Sequence, residues 1–128
     1  MNNPMSAEQL AGLNSEELLS QLDKLKHAAF TLGPEMAQAE LRYRQAKDLL
    51  PIYLARIQEE QLAQGRRVTE AGVLARASVI YQTYVESANE LGAKHAEKEA
   101  HFKAILKSID ALQSIGWVRH QELKLARG

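Results

Sequence analysis

The sequence predicts an all-α protein, a long antiparallel helical hairpin of coiled-coil type with a short helix at its tip. Strong helix formers dominate it: Ala, Leu, Glu, Gln, Lys and Arg supply 76 of 128 residues. Two stretches each carry a heptad seam of apolar residues. A glycine-marked break, Gln64-Gly65-Arg66-Arg67-Val68-Thr69, lies between them. Two seam-bearing helices joined by a short connection bury their stripes most simply by folding back on each other.

The elements follow in chain order. Residues 1–13 read as a flexible leader, because Asn2, Asn3, Pro4, Ser6 and Gly12 disfavour a continuous helix. The hairpin domain is expected over 14–128. It opens on Leu13-Asn14-Ser15-Glu16-Glu17-Leu18, where Asn14 caps the helix and Glu17 returns the hydrogen bond three residues later. Leu13 and Leu18 form the staple across that cap. The first seam then alternates Leu18, Leu25, Leu32, Ala39, Ala46 and Tyr53 with Leu22, Ala29, Met36, Tyr43, Leu50 and Ile57. Its phase runs unbroken across Gly33-Pro34 and Pro51. A shared phase favours a kink, or two helices stacked end to end, over a reversal at Gly33-Pro34.

Gly65 suits the left-handed residue just past a helix end. Thr69 is the expected cap of the tip helix, with Val68 and Val73 as its staple, over about Glu70 to Ala77. Ser78 either caps a new helix or continues the old one. The second seam combines Ala77, Tyr84, Leu91, Lys98, Ile105 and Leu112 with Tyr81, Ala88, His95, Phe102 and Ile109. A two-helix pair buries little, and apolar residues beside the seams (Leu19, Leu49, Leu54, Val85, Leu106) widen each stripe. Dimerisation into a helical bundle is therefore the physical default. Its competitor is a three-helix monomer folded back at Gly33-Pro34.

Charge and composition exclude several classes. Sixteen basic and sixteen acidic residues balance, which removes the general electrostatic argument for nucleic-acid binding. With no cysteine there is no disulfide, thiolate metal site or cysteine nucleophile. No apolar run reaches the roughly 18 residues a membrane span needs, and the first ten residues lack the basic and apolar regions of a signal peptide. The chain has no G-x-S-x-G, P-loop or G-x-G-x-x-G pattern, so neither an enzyme, a cofactor nor a small-molecule substrate is expected. The run His95 to His101 (HAEKEAH) comes nearest to a metal cluster. It lacks the Glu-x-x-His step and the opposed carboxylates of helix-borne sites, and helix-surface pairing accounts for it.

Two basic groups are candidates for partner binding. Arg66 and Arg67 stand in the connector, whose residues 65–78 hold three basic groups and one acidic. Trp117, Arg119, His120 and Lys124 stand near the C-terminus. Arginine beside an exposed aromatic is the composition of a protein or single-strand binding hot spot. The competing account makes the cations dipole partners at a helix C-terminus and Trp117 a plug on the bundle core.

The runs 39–47 (AELRYRQAK), 53–54 (YL), 65–71 (GRRVTEA) and 112–119 (LQSIGWVR) together resemble a group of small helical phage and prophage proteins, over about residues 36–122. The order Arg67-Val68-Thr69 departs from the Lys-Thr-Val of that pattern, as do Pro51 and Gly33-Pro34 within the first long helix. The resemblance implies an early phage product acting in the host bacterial cytoplasm. Such proteins are often encoded near single-strand-annealing or single-strand-binding genes, and no activity is established for them. Trp117 and Arg119 match its closing Trp-x-Arg.

The expected function is that of a non-enzymatic phage accessory protein. It self-associates and binds a protein, or single-stranded DNA, in recombination, replication or host takeover. The alternatives are an inhibitor of a host defence system or nuclease, and a purely structural coiled-coil scaffold.

Overall fold

A computed structural model describes residues 12–127. Three helices follow one another: α1 (Ser15–Ala63), α2 (Val68–Ala77) and α3 (Val79–Arg127). They form the expected all-α helical hairpin, with α2 as the short connecting helix. Of the leader, Gly12 and Leu13 are described and the rest lies outside the described residues.

α1 starts as its sequence dictates. The Glu17 amide donates to Asn14 Oδ1 at 2.8 Å, and Asn14 Nδ2 donates to Glu17 Oε1 at 2.6 Å. These two bonds are a reciprocal capping box. The helix then continues through both prolines without reversing. Gly33 lacks the Cβ that the Pro34 ring would crowd, which removes much of the usual pre-proline clash. Pro34 and Pro51 are exposed, as are Phe30 and Lys47, the residues whose carbonyls lose a helical donor to the prolines. A single continuous α1 excludes the three-helix fold-back.

The C-terminus of α1 closes in a Schellman motif. Gly65 sits at φ 86°, its amide donates to the Leu62 carbonyl at 3.0 Å, and the Arg66 amide donates to the Gln61 carbonyl at 3.3 Å. α2 differs from the expectation. It begins at Val68, so Arg67 occupies the cap position with no side-chain bond, and Thr69 falls inside the first turn. Val68 and Val73 are both largely exposed and make no staple. Ser78 does cap α3: it has extended backbone, and its Oγ accepts from the Tyr81 amide at 3.1 Å. Gln82 Nε2 donates to the Arg76 carbonyl at 2.7 Å, satisfying one of the last carbonyls of α2.

The chain divides into two compact units, one running up to Met36 and resuming at Lys98, the other spanning Ala37–Glu97. In the first, Leu18 and Leu25 of α1 cluster with Ile105, Ile109 and Leu112 of α3, and Leu13, Leu22, Leu32 and Ile115 pack around them. Phe102 lies against Gly33, 3.6 Å from where a Cβ would stand, and Lys98 Nζ reaches Glu35 Oε2 at 3.4 Å. The α3 partner number rises as the α1 number falls, so the two segments are antiparallel.

In the second unit the Tyr53 and Tyr84 rings stack at 3.9 Å between centroids, and the Tyr43 ring covers Gly92. Here too the order is antiparallel. α2 buries Ala71, Gly72 and Ala75, small residues that let it approach closely; Gln58 Nε2 comes within 3.4 Å of the Cβ position at Gly72. Every first-seam position from Leu18 to Ile57 is buried or half-buried. In the second seam only Ala77, where α2 ends, and Tyr84, one face of which stacks on Tyr53, are exposed.

Candidate partner-binding surface

The predicted binding residues fall in different units. Arg66 and Arg67 belong to the unit that contains α2. Arg66 Nη1 donates to Glu70 Oε1 at 3.0 Å, an exposed i,i+4 ion pair, while Arg67 supplies the backbone cap of α2. Pairing with Glu70 halves the free charge that the sequence assigned to this pair. The remaining cation of the α2 segment, Arg76, turns back along its own helix toward the Gly72 carbonyl.

Trp117, Arg119, His120 and Lys124 belong to the other unit, on the last turns of α3. Trp117 is 64 % exposed, so it is not a plug on the core. It lines a shallow open groove with Asp110, Gln113, Ser114 and Val118. His120 and Lys124, three and seven residues on, are exposed near its face of the helix. Arg119 is half-buried, because a position two residues from Trp117 turns toward the packed side. The Trp117–Arg119 pair suggested by the sequence therefore does not share a face, and Trp117 with His120 and Lys124 makes the more coherent patch.

The polar residues within the second seam have partners. Lys98 pairs with Glu35 across the helices and His95 has a partner as well; outside the seam, Lys103 pairs with Glu99 at 2.8 Å. Among the described residues no three His, Asp or Glu side chains converge as a metal site would require. No described helix is long and apolar enough to cross a membrane.

The sequence reading passed over Phe30. It is 80 % exposed, more than any other aromatic in α1 or α3, and it lies in the same unit as Trp117. Its signal was available: Leu19 and Phe30 are eleven residues apart, close to three helical turns, as are Leu106 and Trp117. No family model matches the chain, and comparison with curated proteins and with solved structures finds no match.

Proposed function

We propose that the protein is a non-enzymatic helical accessory protein that self-associates and binds a macromolecular partner. Trp117 carries this reading. A large aromatic held in water on a well-formed helix, with His120 and Lys124 nearby, has the composition of binding hot spots. The resemblance to small phage proteins supports a role in recombination, replication or host takeover within a bacterial cytoplasm. A protein is the leading class of partner, and single-stranded DNA is the nucleic-acid candidate.

Capture from host lysate, with and without nuclease treatment, tests the proposal. Trp117→Ala/Lys124→Ala is expected to lose the captured partner at near-wild-type helicity, and Arg66→Ala/Arg67→Ala to lose less. Nuclease-sensitive, salt-dependent capture assigns the partner to nucleic acid, because phosphate contacts release counterions. Equal capture by wild type and the Trp117 variant refutes the proposed surface.

A further inference from the structure

Where Phe102 rests on Gly33, α1 and α3 meet along one flank of their seam. Phe30 lies one turn before Gly33, and Leu106 one turn after Phe102. Because the helices are antiparallel, both steps lead in the same direction along that flank. Eleven residues further the same way stand Leu19 on α1 and Trp117 on α3. One side of this unit thus carries two apolar rungs, Phe30 with Leu106 and Leu19 with Trp117. Their exposures are 80 %, 42 %, 64 % and 64 % in that order. At 1.5 Å per residue the rungs are roughly 16 Å apart.

Between the rungs stand three exposed charges, Asp23 and Lys26 on α1 and Asp110 on α3. Lys26 lies seven residues after Leu19 and four before Phe30; Asp110 lies four after Leu106 and seven before Trp117. Each is therefore level with the other on its own helix. Neither makes an ion pair among the described residues.

We propose that this face docks a second copy of the chain about a twofold axis parallel to the helices. This rests on the self-association part of the proposed function; Trp117 then lies between the copies, and its loss reaches another partner through the dimer. The twofold brings α1 of one copy against α3 of the other. Phe30 meets the second copy's Leu106, Leu19 meets its Trp117, and Lys26 meets its Asp110. Every contact occurs twice, as an isologous interface requires. The product is an antiparallel four-helix arrangement.

Area favours a second copy, and Lys26 of each copy stands level with Asp110 of the other, while Asp23 leaves one acidic group per copy in excess on this face. At their exposures the four apolar side chains offer roughly 500 Å² per copy, hence roughly 1,000 Å² in a dimer, about the area at which specific interfaces begin.

Sedimentation and Trp117 fluorescence across a dilution series test the proposal. Trp117 is the chain's one tryptophan, so its emission is expected to shift to the blue as dimer forms. Phe30→Glu and Leu106→Glu are expected to raise the dimer Kd at least about thirtyfold at unchanged helicity, the scale of hot-spot loss. Ile80→Glu, at an exposure between those of Phe30 and Leu106 but in the other unit, is expected to leave it unchanged. Lys26→Asp is expected to weaken the dimer severalfold, and Lys26→Asp/Asp110→Lys to restore it. A dimer that persists in Phe30→Glu and Leu106→Glu overturns this face while self-association stands. A wild-type chain that stays monomeric overturns both. A monomer whose Trp117 emission shifts only when another macromolecule is added gives the face to that partner and overturns the proposal.

Discussion

Two glycines in α3 provide a paired test of the packing, because the same substitution meets different surroundings. Gly92 and Gly116 both lie inside the helix, and replacing either with Ala gains about 1 kcal/mol of helix propensity. At Gly116 the added Cβ meets nothing within 4 Å. The gain is therefore kept, and Tm is expected to rise by about 3–6 °C for a chain of this length. At Gly92 the added Cβ would stand 2.8 Å from Tyr43 Cε1, 3.1 Å from Cζ and 3.2 Å from Cδ1. Three ring atoms at that range require the whole ring to move, and overpacking of this kind costs about 1–3 kcal/mol. Gly92→Ala is therefore expected to be neutral to about 2 kcal/mol destabilising, once the propensity gain is subtracted. Urea unfolding followed by circular dichroism measures both variants. Gly92→Ala/Tyr43→Leu removes the ring and is expected to lower the cost of the alanine, the coupling a double-mutant cycle reads. Equal stabilisation by the two alanines would show that Tyr43 does not pack on Gly92, and the antiparallel register read from that contact would fall with it.

Three further outcomes are expected. Gly65→Ala should cost about 1–2 kcal/mol, although open space surrounds the site, because the cost is that of a Cβ at φ 86°; thermal unfolding measures it. Asn14→Ala should cost about 1 kcal/mol by loss of the α1 cap, and faster amide exchange in the first turn should accompany the loss. Ile105→Asp, at a position 2 % exposed in the core beside Leu18 and Leu25, should cost several kcal/mol and unfold its unit. Leu50→Asp, at a half-buried position, should cost measurably less on the same denaturant curve.

The sequence by itself determined the helices, their packed faces and most of their ends. Local chemistry is enough for that. A capping box closes within four residues, a glycine at positive φ is readable from its neighbours, and the heptad phase survives both prolines because the helix does. The first seam from Leu18 to Ile57 is buried or half-buried as its spacing required. Thr69 carries a cap signal, but the helix begins one residue before it, at Val68. Arg67 can end the preceding loop without any side-chain bond.

What required tertiary structure was everything that depends on the second helix. Heptad spacing cannot say that Phe102 opposes Gly33, that Tyr43 opposes Gly92, or that Lys98 finds Glu35, since a seam slid by one heptad presents the same pattern. Heptad phase puts Phe30 and Leu106 off the seam, but it cannot say whether another element covers them; the packed structure leaves both in water. The same holds for Trp117 and Arg119, adjacent in the motif but turned to different sides of α3. Helix phase sets those directions, and only the partner helix makes one of them the solvent side.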